Sequence, residues 1–149
     1  MEKISDIKTL TEEELKNWLK EVGEKPFRAD QIRNRLFCGQ VKSFNEMETI
    51  PAALREKLSA NFRITSLEEA KRLISVDGTV KWLYQTHDGH HIETVLIPTN
   101  DRFSVCVSTQ IGCAQNCAFC RTAKMGFIRN LEAGEILEEI IRVNWYLEE

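Results

Sequence analysis

Four of the five cysteines in this 149-residue chain lie between residues 106 and 120. Three of them, Cys113, Cys117 and Cys120, have the spacing C-x3-C-x2-C, and Cys106 precedes them. Such a group can form disulfides, bind zinc, hold an iron–sulfur cluster or consist of buried thiols. An odd cysteine count disfavours a fully paired disulfide framework, and clustered thiols in a reducing compartment indicate metal or redox chemistry.

The spacing of the cysteines also distinguishes a structural zinc site from an iron–sulfur cluster. A structural zinc site uses four ligands, usually in two short pairs, but the sequence has no Cys or His after Cys120, and its three histidines lie together upstream at His87, His90 and His91. Three thiolates leave one iron of a [4Fe–4S] cluster open to a ligand, whereas electron-transfer ferredoxins normally close the cluster with four cysteines. The pattern therefore favours a catalytic cluster over zinc, buried thiols or a small electron carrier.

Cys106 lies in the strand-like segment RFSVCVST. By alternation it points away from the apolar side chains of Phe103, Val105 and Val107, which favours a functional thiol over a small buried core residue. Cys38 matches no motif, and no role is assigned to it.

Glu93 lies in the segment HIETVLIP, where alternation places it on one face with Val95 and Ile97. This is an unusual environment for a carboxylate unless the group is paired or transfers a proton. A solvated glutamate on an edge strand is the alternative.

The net charge of −3 and the pI of about 5.7 exclude a general basic field for nucleic acid. A local cationic stretch contains Arg121, Lys124 and Arg129, which can meet RNA phosphates or form a solvated loop. No signal peptide and no membrane span are predicted, so we expect a soluble cytoplasmic protein.

The first sixty residues predict a helical bundle. Thr11 and Glu14 form a capping box, with Leu10 and Leu15 as a hydrophobic staple. An apolar face follows around Ile32, and Pro51 can open a third helix.

From about Leu67 the apolar period changes to two, and the turn signals Asp77-Gly78 and Asp88-Gly89 predict two hairpins. A final helix is predicted to begin near Asn130 as N-cap, with Ile136, Ile140, Val143 and Leu147 on its apolar face. This helix reaches the last residue without a stop signal. We therefore expect one β–α unit of a larger, truncated fold, the alternative being a terminal helix docked on the small sheet.

The cysteine spacing, with Phe119 directly before the third cysteine, resembles the radical S-adenosylmethionine superfamily. Four segments in order carry the resemblance further, to the RlmN/Cfr family of radical SAM methyltransferases: FRADQIRNRLF, DGTVKW, HIETVLIP and CVSTQIGCAQNCAFCRTAKMGFIRNL. The similarity runs from about Phe27 to the last residue.

The resemblance implies an enzyme that methylates C2 of an adenosine in 23S rRNA and in tRNA, with a [4Fe–4S] cluster and S-adenosyl-L-methionine as cofactors. It implies Cys113, Cys117 and Cys120 as cluster ligands and Phe119 as a contact of the cofactor. Glu93 would accept a proton. Cys106 would resolve a protein–RNA adduct through a transient disulfide with a methyl-carrying cysteine that these residues do not include.

The expected fold class is an α+β amino-terminal region, a helical bundle plus a small antiparallel sheet, followed by the first β–α unit of a truncated radical SAM partial (β/α) barrel. The expected domains are an RNA-docking helical domain (1–64), a β-hairpin segment (65–98) and the start of the radical SAM core (99–149). We further expect a monomer that receives electrons from a flavodoxin-like donor and is inactive as this chain alone. C8 specificity and a non-catalytic, metal-stabilised RNA-binding module remain alternatives.

Overall fold

The computed structural model describes residues 5–149, so the first four residues of the predicted helical domain lie outside the described residues. The chain divides into two compact units. One reaches to Thr65 and is called the helical unit; the other runs from Ser66 to Glu149 and is called the sheet unit.

The helical unit contains the predicted helices. They are α1 (Glu12–Glu21), α2 (Arg28–Cys38) and α3 (Ala52–Asn61), and two short strands, β1 (Ser5–Asp6) and β2 (Phe62–Arg63), pair in parallel. The helices surround a core of buried apolar side chains, which include Leu15, Leu19, Ile32, Leu36, Met47, Ile50, Leu54 and Leu58. The predicted bundle is therefore confirmed, with a small parallel strand pair that the sequence did not predict.

The capping box at the start of α1 is also confirmed. The backbone N–H of Glu14 donates to Thr11 Oγ1 at 3.2 Å, and the backbone N–H of Thr11 donates to Glu14 Oε2 at 2.7 Å. Two backbone donors that have no partner within the helix are satisfied in this way, which fixes the first turn.

The sheet unit is built on an antiparallel sheet of four strands in chain order. These are β3 (Glu68–Ile74), β4 (Val80–Gln85), β5 (His91–Thr99) and β6 (Arg102–Cys106). Both predicted Asp-Gly turns are confirmed: Gly78 and Gly89 have φ angles of +83° and +82°, a conformation that glycine adopts without steric cost.

The two faces of this sheet differ. The covered face carries Val80, Trp82, Tyr84, Ile92 and Leu96, which are buried together with Ile111, Leu131 and Val143. The open face carries the alternate side chains, among them Lys81, Leu83, Glu93, Val95, Ile97, Ser104 and Cys106, none of which is buried.

From β6 onward the structure departs from the prediction in two ways. β6 is the edge strand of the four-stranded sheet, antiparallel to β5, and the described residues form no barrel. A second strand pair follows, with β7 (Gln110–Gly112) antiparallel to β8 (Phe127–Asn130).

The last helix, α4 (Ala133–Glu148), starts later than predicted. Its N-cap is Glu132, which forms a capping box with Glu135, while Asn130 ends β8. Its predicted apolar face is confirmed in part: Val143 is buried and Ile136 packs against the core. Ile140 and Leu147 are exposed, and Ile141 is buried instead. Among the described residues, no helix has the length and apolar character needed to cross a membrane.

Candidate functional site

The cysteine loop, residues 113–126, is closed at its base by β7 and β8. The backbone N–H of Cys113 donates to the Gly126 carbonyl at 3.2 Å. Gly112, just before the loop, has φ +73°, and a Cβ atom there would lie 1.6 Å from the Gly126 oxygen. Only glycine permits this close approach of the two backbones, so the loop begins and ends at a fixed point.

The three predicted cluster ligands lie on this loop. Cys113 and Cys120 are half-buried and Cys117 is exposed. The backbone N–H groups of Ala123 and Thr122 point at the Cys120 sulfur and lower the pKa of its thiol, which favours the thiolate that a metal requires. The backbone N–H of Cys120 also donates to the Cys117 carbonyl at 3.1 Å, so the last two cysteines share one tight turn.

The lowered pKa of the Cys120 thiol suits a metal ligand, but the three cysteine side chains do not converge on one point. In the part of the chain that the structure describes, no three Cys, His, Asp or Glu side chains converge closely enough to hold a metal ion. All five cysteines are free thiols. Binding by Cys113, Cys117 and Cys120 would require their sulfur atoms to move together on the loop.

Cys106 and Glu93 lie on the open face of the sheet. Cys106 ends β6 opposite Val95 of β5, and directly paired residues of antiparallel strands share a face. Since Glu93 is two residues from Val95, both candidates face the same side, and both are exposed. Phe103 and Val105, on the opposite face of β6, are exposed as well.

Glu93 is held by two contacts. Its carboxylate Oε1 lies 2.7 Å from Lys81 Nζ, and its backbone carbonyl accepts a hydrogen bond from Ser108 Oγ at 2.8 Å. β5 lies between β4 and β6, so Glu93 is not on an edge strand. The pairing expected for a carboxylate in this environment is therefore present.

Glu93 also lines a cavity of about 390 Å³ that reaches the cysteine loop. The lining includes Ser108, Arg121, Thr122 and Met125. Of the predicted site residues in the described part of the chain, Glu93 takes part in this lining, whereas Cys106, Phe119 and the three ligand cysteines do not. Phe119 is 92% exposed, so it packs against no core and its ring is accessible to a ligand.

Arg129 is not available as a phosphate contact. Its guanidinium binds both oxygens of Asp88 at 2.8 and 3.0 Å and both oxygens of Glu135 at 2.7 and 2.9 Å. These contacts hold the pKa of Asp88 well below its usual range. The suggestion that Arg129 meets RNA is replaced by a structural role, and Arg121 and Lys124 remain as cations of the loop.

Comparison with known proteins identifies related sequences and one related structure. Residues 5–64 match the family model described as ribosomal RNA large subunit methyltransferase N-terminal domain. The chain is 46% identical over 139 residues to the dual-specificity RNA methyltransferase RlmN of Anaeromyxobacter dehalogenans, covering 93% of this chain and 37% of that protein. Over the part that it spans, the chain is homologous to the RlmN methyltransferases.

Two further similarities extend beyond the helical unit. A probable dual-specificity RNA methyltransferase RlmN of Geobacillus kaustophilus is 45% identical, with 98% of this chain and 40% of that protein covered. A crystal structure of a radical SAM methyltransferase from Sphaerobacter thermophilus matches 97% of this chain and 44% of its own, with a TM-score of 0.85 and 36% identity. The chain thus spans about two fifths of the length of its RlmN relatives.

Two residues of the candidate site were not predicted from the sequence. Lys81 could have been found, because counting the register back from the Asp88-Gly89 turn places it beside Glu93. Glu139 could not: adjacent glutamates on a helix indicate a solvated face, yet Glu139 is buried. Its Oε2 accepts hydrogen bonds from Thr94 Oγ1 and from the Ser108 backbone N–H.

Proposed function

We propose that this chain is the amino-terminal part of a radical SAM methyltransferase that modifies C2 of an adenosine in 23S rRNA and in tRNA. One observation carries the proposal. A C-x3-C-x2-C loop lies beside a cavity lined by the motif glutamate Glu93, in a chain that is homologous to RlmN over the part that it spans. The names of the RlmN relatives, dual-specificity RNA methyltransferases, support two classes of RNA substrate.

Cys113, Cys117 and Cys120 would hold a [4Fe–4S] cluster, because three thiolates leave one iron open for a further ligand. The cluster and S-adenosyl-L-methionine, when bound, supply the radical that an electron-poor carbon such as adenine C2 requires. The exposed ring of Phe119 is accessible for contact with the cofactor. A flavodoxin-like protein would be the electron donor.

Glu93 would accept the proton that leaves adenine C2. A carboxylate is suited to this when it lies within hydrogen-bond reach of the carbon-bound proton and is ionised beforehand. The Glu93 carboxylate lines the cavity, is exposed and pairs with Lys81, so a substrate in the cavity can reach it.

Cys106 would release the methylated RNA by attacking the sulfur that links a methyl-carrying cysteine outside these 149 residues to the RNA. The bond between that sulfur and the transferred carbon would break as the disulfide forms. The exposed thiol of Cys106 on the same face as Glu93 supports this role, since a resolving thiol must be accessible to its partner. β6 and α4 would be the first strand and helix of the partial barrel. The chain would accordingly comprise a helical RNA-docking domain (1–64), a hairpin segment (65–98) and the start of the catalytic core (99–149), in a cytoplasmic monomer.

Anaerobic reconstitution with iron and sulfide tests the ligand set. We expect about four iron and four sulfide per chain, and the Cys113→Ala, Cys117→Ala and Cys120→Ala variants should each lose most of both. Cys38→Ala and Cys106→Ala are matched controls and should bind normally. Zinc without sulfide would instead support a metal-stabilised RNA-binding module.

A chimera tests the reaction. Residues 1–149 would replace the matching part of the Geobacillus kaustophilus relative, and the product from 23S rRNA and tRNA would be identified by mass spectrometry. We expect 2-methyladenosine from the chimera and none from the 149-residue chain alone. Methylation at C8 would contradict the proposed specificity, and an inactive but cluster-loaded chimera would contradict the catalytic assignment.

A further inference from the structure

Lys81 contacts the glutamate to which the proposed function assigns proton transfer. The register of β4 and β5 explains the contact: Leu83 pairs with Glu93, and Lys81 pairs with Val95. Lys81 is therefore a diagonal neighbour of Glu93 on the open face, a separation that a long side chain spans.

The ion pair is placed at the cavity and contributes little to folding. Lys81 and Glu93 both line the cavity, together with Arg121 and Thr122 of the cysteine loop. The two side chains remain 44% and 53% exposed. Exposed ion pairs of this kind typically contribute little to stability. Stability alone does not account for a lysine at this position.

The backbone of Glu93 is already fixed without Lys81. Ser108 Oγ holds the Glu93 carbonyl, and Glu139 holds the Ser108 backbone N–H at 3.0 Å. The freedom that remains lies in the side-chain torsions of Glu93. Among the described residues, the contact between Lys81 Nζ and Glu93 Oε1 restricts these torsions.

We infer that Lys81 is a positioning residue, whose ammonium group holds the Glu93 carboxylate in one orientation over the cavity. The inference rests on the proposed role of Glu93. A carboxylate that accepts a proton becomes neutral and loses its attraction to the ammonium group. Lys81 thus orients the ionised base and releases the protonated side chain, which can turn and return its proton to solvent.

Kinetics of the chimera with the Geobacillus kaustophilus relative test the inference. Lys81→Met should lower kcat about tenfold, a modest share of the effect of a general base, and leave KM for RNA unchanged. Lys81→Arg should restore most of the rate because a guanidinium can also pair with Glu93. Lys71→Met is the matched control: Lys71 pairs with Leu83 on the same face, and its loss should leave kcat unchanged.

A double-mutant cycle separates positioning from direct RNA binding. In a Glu93→Gln background, Lys81→Met should have no further effect on kcat, because the two residues act as one unit. A raised KM, or a rate loss that persists in the Glu93→Gln background, would assign Lys81 to an RNA phosphate and overturn the inference.

Side-chain NMR of the 149-residue chain gives a readout that does not depend on activity. The order parameter of the Glu93 Cγ methylene should fall in Lys81→Met and stay unchanged in Lys81→Arg and Lys71→Met. An unchanged value in Lys81→Met overturns the inference. A fall in that value beside an inactive wild-type chimera would leave the positioning role intact and count against the proposed function.

Discussion

Glu139 shows how a single buried side chain connects the last helix to the strands of the site. Its Oε2 binds Thr94 and Ser108, which flank the Glu93 position, while Oε1 has no hydrogen-bond partner among the described residues. Burial raises the pKa of Glu139 to about 7, although the hydrogen bonds from Thr94 and Ser108 act to lower it. The carboxyl group therefore changes charge close to neutral pH.

The pH dependence of stability follows from this shift. The pKa is higher in the folded protein than in the unfolded chain, where it is near 4.5. The proton bound by Glu139 therefore stabilises the fold fully below pH 4.5, and this stabilisation is lost as the pH rises through 7. A shift of this size corresponds to at most about 3 kcal/mol.

Glu139→Gln should flatten this profile, because a neutral amide keeps an oxygen for Thr94 and Ser108 and does not ionise. Urea denaturation at pH 5 and pH 8 would measure the free energy of unfolding. We expect the difference in the free energy of unfolding, variant minus wild type, to be about 1–3 kcal/mol larger at pH 8 than at pH 5. Glu148→Gln, at an exposed position of α4, is the control; an equal pH profile in wild type and Glu139→Gln would contradict the assignment.

At the scale of elements, Arg129 fastens three separate pieces of the sheet unit. Its guanidinium joins Asp88 in the hairpin turn between β4 and β5 to Glu135 in the first turn of α4, while its own backbone belongs to β8. Burial acts to raise the pKa of Glu135, but Arg129 and the Glu132 backbone N–H together outweigh it, so the pKa is lowered. His87 Nδ1 lies 3.6 Å from the same carboxylate.

Arg129→Met should destabilise the chain by about 3 kcal/mol, because it leaves the buried Glu135 carboxylate without its cation. The lowered pKa values of Asp88 and Glu135 mean that the stabilisation is present above the usual carboxylate range and lost as the pH falls, so the loss should be largest near pH 7. Thermal and urea unfolding would measure it. Lys124→Met should change stability by less than about 0.5 kcal/mol, and adding Glu135→Gln should recover part of the loss; no recovery would contradict the mechanism.

The same elements show what the sequence can and cannot predict. The Asp-Gly turns and the Thr11–Glu14 box were predicted because local backbone geometry alone selects those residues. The β7–β8 pair is too short for an alternating pattern, so its strands were missed, and Asn130 was assigned to the helix that follows. The buried face of α4 was only partly predicted, because the contacts of Glu139 to Thr94 and Ser108 join residues distant in sequence and leave no periodic signal.

At the scale of the whole chain, each of the two units has its own apolar core. The helical unit buries side chains from α1, α2 and α3, and the sheet unit buries one face of its sheet against α4. Independent cores are what allow parts of a chain to fold alone. The predicted division into three domains remains a prediction, since it further separates residues 65–98 from 99–149.

Fragments 1–65 and 66–149 should each fold without the other. A chain of about 60 residues is marginal in stability, so we expect the first fragment to unfold cooperatively at a low melting temperature, as measured by far-ultraviolet circular dichroism. Both fragments should give dispersed NMR amide signals. A third fragment, 99–149, lacks β3, β4 and β5 and serves as the comparison; it should be unfolded. A folded third fragment would favour the three-domain division instead.

The close backbone approach of Gly112 and Gly126 at the base of the cysteine loop has a thermodynamic consequence for ligand binding. Joining the ends of a flexible loop of this length costs on the order of 2 kcal/mol in chain entropy. The β7–β8 pair and the Cys113–Gly126 hydrogen bond offset this loss of chain entropy when the protein folds. The proposed metal cluster would therefore have to order only the turns between the cysteines. Substitution of Gly112 should weaken cluster binding even though glycine supplies no ligand.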